Sequence, residues 1–216
     1  MTRLAVFILM MFLAGFCASC CARAPTKTTM LELHTRSMIL DPGVKKESGD
    51  YKSVHETLRW ASDKTALIIC DMWDRHWCKG AEARVAEMAP AMNRLISTAR
   101  GLGIQIIHAP STCVDFYKET DQRHRAIEAV YARPPVKLAA RERWGTAWCW
   151  PQDEREPGMP IDDSDMGCDC KEKCEIVPPW TRQIKTIDIR EPDAITDNGQ
   201  ETYNLLAGRD IDNVIL

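Results

Sequence analysis

The sequence lacks a large excess of charge of either sign. Its 216 residues carry 28 Lys and Arg side chains against 31 Asp and Glu side chains, a formal net charge of -3. Proteins that bind nucleic acid or anionic lipid usually present a strongly basic surface. We therefore expect no nucleic-acid partner. We also expect no membrane contact other than through a lipid anchor.

Long apolar runs are also scarce, and residues 4–16 at the N-terminus form a run too short to span a bilayer comfortably. Arg3 precedes this run, and small residues with Cys17 and Cys20 follow it. This order is typical of a secretory signal peptide, although a buried N-terminal helix is an alternative. Residues 17–20 also resemble a bacterial lipoprotein cleavage box, with Cys20 as the lipidated residue. We predict a signal peptide over residues 1–25 and an exported protein, periplasmic or anchored to the envelope.

Beyond residue 25 the sequence has no HxH, CxxC or HExxH spacing, but it is not poor in cysteine. Seven cysteines follow the signal segment: Cys70, Cys78, Cys113, Cys149, Cys168, Cys170 and Cys174. The odd number leaves at least one that is free, metal-bound or paired between chains. Cys168, Cys170 and Cys174 lie close together and could staple a loop by disulfides in an oxidising compartment. A divalent metal such as zinc is the alternative, but a tetrahedral site needs a fourth ligand, and free thiols are a third possibility.

The apolar run at residues 66–70 predicts a strand buried on both faces. Asp71 follows it directly. In α/β proteins, ligands bind beyond the carboxyl ends of parallel strands, so a carboxylate there faces a crevice. We predict that Asp71 acts as a general base. A salt-bridged or helix-capping aspartate is the alternative.

Other polar and aromatic residues lie near this position in the predicted fold. Trp73 and Trp77 flank Asp71 and, with His108, are candidates for binding substrate, although core packing is the alternative for the tryptophans. His76, His108 and Asp115 offer the nitrogen and oxygen ligands of a metal site. A hydrogen-bonded histidine at the end of a strand is the alternative for the histidines.

Residues 26–60 are mixed in character and predict an N-terminal arm with an edge strand at 30–40. The domain then covers residues 61–216, with a Trp- and Cys-rich insertion at about 132–180. Apolar periodicity predicts the following elements: a helix over 81–100 kinked at Pro90, a strand over 104–108, a helix over 117–131, a strand over 183–190, a helix over 200–207 and a strand from 211. Strand, helix and strand in this order predict a parallel βαβ unit.

Residues 65–73, in which Asp71 and Met72 follow the apolar run, resemble the opening strand of the isochorismatase-like cysteine hydrolases, which include the nicotinamidases. Trp73 stands where that family usually has Gln. Residues 101–108 and 205–216 follow the same order of elements. The resemblance implies a three-layer α/β/α sandwich with a mostly parallel sheet, which we expect to be incomplete at the C-terminus. It also implies hydrolysis of a small amide or related small molecule, and a possible homo-oligomer.

The family machinery is an Asp, a Lys and a nucleophilic Cys. The resemblance assigns the first role to Asp71 and puts Arg190 in the nearest place to the Lys, where it would stabilise an anion. The nucleophile would follow the strand near Asn213, beyond Leu216, so we expect the chain as given to be inactive. The rival hypothesis is a non-catalytic exported binding protein that uses the insertion at 132–180 as its interaction surface.

Overall fold

The computed structural model describes residues 28–40, 51–135, 142–143, 146–147 and 168–216. The predicted signal peptide at 1–25 lies outside these residues. So does most of the predicted insertion, including Trp144, Trp148 and Trp150.

The N-terminal arm is a long antiparallel hairpin of β1 (Met30–Leu40) and β2 (Tyr51–Ala61), paired from Met30 opposite Ala61 to Leu40 opposite Tyr51. The predicted edge strand at 30–40 is confirmed. β2 was not predicted, because Lys52 and Glu56 interrupt the apolar positions on one of its faces. The arm meets the core at its base, where Leu31 packs against the main hydrophobic cluster.

Two short 3-10 turns, Ser62–Lys64 and Val114–Tyr117, accompany the regular elements. The other elements, in chain order, are β3 (Thr65–Cys70), α1 (Lys79–Gly101), β4 (Gln105–Ala109), α2 (Asp121–Ile127), the two-residue strands β5 (Glu142–Arg143) and β6 (Thr146–Ala147), β7 (Ala194–Ile195), α3 (Gly199–Gly208) and β8 (Asn213–Ile215).

The centre of the molecule is a four-stranded sheet in the order β7-β4-β3-β8, and all of its neighbouring strands run parallel. β3, α1 and β4 form the predicted βαβ unit. Cys78 caps the start of α1, since its Sγ accepts a hydrogen bond from the Ala81 N–H. The helix is continuous through Pro90. The fold class is therefore α/β with a parallel sheet.

Hydrophobic residues cover the two faces of this sheet in separate clusters. Ile69 of β3 and Ile106 of β4 belong to the cluster that contains Ile96 of α1. Ile107 belongs to the other cluster, with Ala126 of α2 and Leu205 of α3. Successive side chains of a strand point to opposite faces of the sheet, so Ile106 faces one cluster and Ile107 faces the other. Helices thus pack on both sides of the sheet.

Two predicted elements were wrong in extent or type. The helix expected over 117–131 is α2, which begins only after Thr120 because the Thr120 hydroxyl accepts a hydrogen bond from the Arg123 N–H. Residues 183–190 do not form a strand, apart from one bridge between Gln183 and Trp73. The chain turns there instead, with the Ile187 N–H bonded to the Ile184 carbonyl, and the turn buries Ile187.

A buried ion pair joins α1, β4 and the turn before β7. Arg100 donates two hydrogen bonds to Asp193, at 2.9 and 2.7 Å, and the Arg190 N–H donates a third at 2.7 Å. Nε2 of His108 lies 3.2 Å from the same carboxylate. Burial by itself would raise the pKa of Asp193, but the hydrogen bonds from His108, Arg100 and the Arg190 N–H hold that pKa at about 2.

We predict that Asp193→Ala lowers the free energy of unfolding by about 3–5 kcal/mol, because it leaves a buried arginine without its partner. Glu191→Ala, which removes an exposed partner of Arg125, should change it by less than about 1 kcal/mol. Urea denaturation measures both values. Because the folded pKa of Asp193 is depressed, its contribution is present above its ordinary pKa of 3.8 and is lost as the pH falls towards about 2. Equal effects of the two substitutions would contradict this prediction.

Candidate functional site

Asp71 lies at the carboxyl end of β3, beside the end of β4. Its N–H donates to the Ala109 carbonyl at 3.1 Å, and its Oδ1 accepts from the Ser111 N–H at 3.1 Å. Its φ of 52° is in the left-handed region, which few residues other than Gly, Asn and Asp adopt. This backbone turns the chain sharply out of the sheet. The partly buried carboxylate therefore lies at the edge where the parallel strands end.

The segment after Asp71 runs alongside residues 182–184. The Asp74 N–H donates to the Arg182 carbonyl, and the Ile184 N–H donates to the Met72 carbonyl. The Asp74 carboxylate accepts hydrogen bonds from the N–H and hydroxyl of Thr181 and from the Arg182 N–H. Burial acts to raise the pKa of Asp74, but these hydrogen bonds and the Arg182 charge lower it overall. Asp74 thus anchors Thr181 and Arg182, which follow the predicted insertion, beside the carboxyl end of β3.

Aromatic rings lie beside Ser111, which Asp71 also contacts. Trp73 stacks on Trp180, with ring centroids 4.1 Å apart and planes 8° from parallel. His76 stacks beside both rings, and Trp77 contacts His76 at 5.0 Å. The indole N–H of Trp73 donates to the Ser111 carbonyl. Sequence reasoning did not single out Trp180, because it lies in an irregular stretch with no apolar periodicity.

The structure does not gather the three predicted metal ligands His76, His108 and Asp115. His108 is fully buried, with Nδ1 2.8 Å from the Gln183 amide oxygen and Nε2 near Asp193. Asp115 is exposed in the turn Val114–Tyr117, and His76 Nδ1 accepts from the Cys78 N–H. Within the described parts of the chain, these residues form no ligand cluster. The core contacts of His108 also keep it from reaching a substrate in the crevice as the side chains stand.

The described contacts of Arg190 do not involve Asp71. Its guanidinium pairs with Asp188 at 3.1 Å. It lines an open depression of about 660 Å³ together with Phe116, Tyr117 and Arg182, and Asp71 is not part of that lining. The structure therefore supports the predicted position of Asp71 better than the predicted partnership of Asp71 with Arg190.

Cys70 and Cys113, two thiols of the described residues that feel the charge of Asp71, are not activated. Cys113 is buried and donates a hydrogen bond to the Pro110 carbonyl. Burial, and then the negative charges of Asp74, Asp197 and Asp71, raise the pKa of the Cys113 thiol to about 12. Burial and the neighbouring Asp71 also raise the pKa of Cys70. A thiol is a good nucleophile only as the thiolate, so neither cysteine has the environment of a catalytic one.

Four cysteines meet at the start of α1. The Sγ atoms of Cys78, Cys168, Cys170 and Cys174 all lie within 4.8 Å of one another, and none of the four is in a disulfide. This cluster could hold a metal ion. Three of the residues were predicted as a disulfide or metal group. The fourth, Cys78, was missed because 92 positions separate it from Cys170.

Close packing holds residues 168–174, the cysteine loop, on α1. Arg84 pairs with Asp169 at 2.7 Å, and the Gly80 N–H donates to Cys170 Sγ at 3.3 Å. A Cβ at Gly80 would lie 2.6 Å from Oδ1 of Asp169. A larger residue at Gly80 would therefore have to displace the exposed Asp169 carboxylate, which pairs with Arg84.

Comparisons of the chain with known protein families, with curated proteins and with solved structures found no match in any of the three. The family suggested by the sequence therefore remains a prediction. Among the residues that the structure describes, no helix has both the length and the apolar character needed to cross a bilayer.

We predict that Cys113 of the folded protein resists alkylation by iodoacetamide at pH 8. With a pKa of about 12, only about one Cys113 thiol in ten thousand is a thiolate at that pH. Peptide mass spectrometry after a timed reaction measures the modified fraction. The same protein in urea provides the control, because unfolding returns the thiol to its ordinary pKa. Modification at similar rates in both states would show that Cys113 is accessible and reactive.

Proposed function

We propose that this chain supplies the carboxylate side of an isochorismatase-like cysteine hydrolase site that acts on a small amide. The observation that carries the proposal is the position of Asp71. It follows the central strand β3 at the carboxyl edge of a parallel sheet and is partly open to solvent. A rigid strand can present a general base there to a bound small molecule.

The arrangement of layers supports the finer fold assignment. α1 packs on one face of the sheet, and α2 and α3 pack on the other. We infer a three-layer α/β/α sandwich of the isochorismatase-like type, with the crevice at the ends of β3 and β4. Parallel sheets covered on both faces are typical of α/β enzymes that bind ligands at this edge.

The position of β8 supports a catalytic partner for Asp71. β8 lies next to β3, with Leu67 opposite Ile215. The resemblance places the nucleophilic Cys shortly after this strand. Any residues that continued β8 in this register would lie alongside Asp71. In this proposal Asp71 takes the thiol proton, and Arg190, which the structure pairs with Asp188, takes no part.

Two observations favour a second candidate, an exported protein that binds a small molecule without transforming it. The thiols beside Asp71 are held protonated, and the stacked rings of Trp73 and Trp180 form an aromatic surface next to the carboxylate. Their inner faces contact each other, so a planar ligand would stack on an outer face. The insertion at 132–180, of which Trp180 is the last residue, would then contribute to the interaction surface.

A divalent metal such as zinc enters this proposal only as a structural component at the four cysteines. A site closed by four sulfur ligands leaves no position for water or substrate. The metal would therefore take no part in the hydrolysis. Hydrolysis by a cysteine nucleophile requires no metal ion.

We predict that Asp71→Asn lowers kcat/KM for small aromatic amides by about 10²–10⁴-fold in the natural gene product that contains these residues. Asn tolerates the left-handed backbone at this position and keeps an oxygen for the Ser111 N–H, so the fold should survive. Ammonia release measures the rate, with nicotinamide as the first substrate.

The matched control is Asp63→Asn, an exposed aspartate before the opposite end of β3, which should leave the rate unchanged. An Asp71→Asn variant with the wild-type rate would exclude the hydrolase proposal. Saturable quenching of tryptophan fluorescence by the amides, without ammonia release, would instead support the binding protein.

A further inference from the structure

The four-cysteine cluster has the dimensions of a metal site rather than of two disulfides. In a tetrahedral zinc site with Zn–S bonds of about 2.3 Å, neighbouring sulfur atoms lie about 3.8 Å apart. The Sγ atoms of Cys78 and Cys170 are 3.7 Å apart, and all four sulfur atoms lie within 4.8 Å of one another. A disulfide would bring two of them to about 2.05 Å. All four are free, and each sulfur lies within reach of the other three.

Backbone N–H groups at the start of α1 point at two of the four sulfur atoms. Cys78 is the N-cap of α1, where the exposed N–H groups and the helix dipole stabilise an anion. The Ala81 N–H donates to the Cys78 sulfur at 3.4 Å, and the Gly80 N–H donates to the Cys170 sulfur at 3.3 Å. Backbone donors of this kind orient metal-bound ligands and offset their charge.

One basic side chain, Arg84, lies close to the same group. Arg84 approaches from the second turn of α1 and is held by Asp169, which lies between two of the cysteines. Four thiolates with one Zn²⁺ carry a formal charge of -2, so a nearby guanidinium lowers the cost of assembling the site. Cys78 is 1% exposed, which protects one ligand from solvent and oxidants.

We propose that Cys78, Cys168, Cys170 and Cys174 bind one Zn²⁺ ion in a closed, structural site. Four sulfur ligands in a tetrahedron are the donor set of zinc or of iron, and they do not suit calcium or magnesium. Zinc undergoes no redox change, so its coordination would keep four neighbouring thiols from oxidising to disulfides in an oxidising compartment.

The location of the site indicates what the ion does. It would fasten residues 168–174 to the first turn of α1, directly after the loop that carries Asp71, Trp73 and Asp74. The same segment continues to Trp180 and Thr181, which contact Trp73 and Asp74. Zinc and Asp74 would thus hold the two ends of one segment along the rim of the crevice. This inference does not depend on the proposed hydrolysis, because it requires only that the rim be ordered.

The first experiment measures metal in the full chain purified without chelator, or refolded with zinc under reducing conditions. Inductively coupled plasma mass spectrometry should find about one zinc per chain. X-ray absorption at the zinc edge should show four sulfur neighbours at about 2.3 Å. Zinc content below about one tenth per chain, iron in its place, or disulfides among the four cysteines would overturn the proposal.

Variants test the ligand set. Cys78→Ser and Cys174→Ser should each lose most of the zinc, whereas the matched controls Cys70→Ser and Cys113→Ser should retain it. Loss of zinc from a control variant, or its full retention in Cys78→Ser, would contradict the assignment. If the ligand variants fail to fold, the absorption spectrum of the cobalt-substituted wild-type chain tests whether thiolates bind the metal. Tetrahedral cobalt thiolates absorb far more strongly than cobalt bound by oxygen, so a weak spectrum would contradict the proposal.

A milder pair of variants tests the surroundings of the site. Arg84→Ala should weaken zinc binding by about 10-fold, measured by competition with a coloured chelator. Arg94→Ala, an exposed arginine on the same helix, should leave the affinity unchanged. Equal affinities for both variants and the wild type would show that Arg84 has no part in holding the ion, and would remove the charge argument for this site.

Discussion

The buried carboxylate of Asp193 is the contact on which the arrangement of the described core depends. It receives hydrogen bonds from Arg100 at the end of α1 and from the backbone of Arg190, and it contacts His108 of β4. A charge with almost no exposure to water persists only if it is paired and hydrogen-bonded. The turn before β7 therefore has to meet the helix and the strand in one geometry, and this contact joins residues that are far apart in the chain.

The edge of the sheet beside Asp71 is organised by a different set of contacts. The chain from Cys168 onwards returns to this edge, and Asp74 holds it at Thr181 and Arg182. The four cysteines hold its other end against α1. A segment without helix or strand hydrogen bonds loses conformational entropy when it is ordered. Polar anchors at both ends explain how it can line a crevice without being a regular element.

The local sequence pattern was enough to predict the central βαβ unit and the place of Asp71. A short apolar run followed by an amphipathic helix is compatible with few other arrangements of strand and helix. It was not enough for residues 183–190. The isoleucines there look like a strand in sequence, but a tight turn buries Ile187 while Gln183 bonds to His108. His108 was likewise predicted to face a ligand. Its partners come from a distant segment that carries no local signal.

By itself, the sequence determined the α/β class, the parallel pairing around β3 and the abundance of cysteine, since each follows from composition or from side-chain periodicity. Only the tertiary structure decided that Cys78 joins the three later cysteines, that Trp180 stacks on Trp73, and that Arg190 lines a depression that does not include Asp71. The physical reason is the same in each case. These contacts connect residues far apart in the chain. Periodicity indicates which side of a helix or strand is buried, but it does not identify the segment that packs against that side.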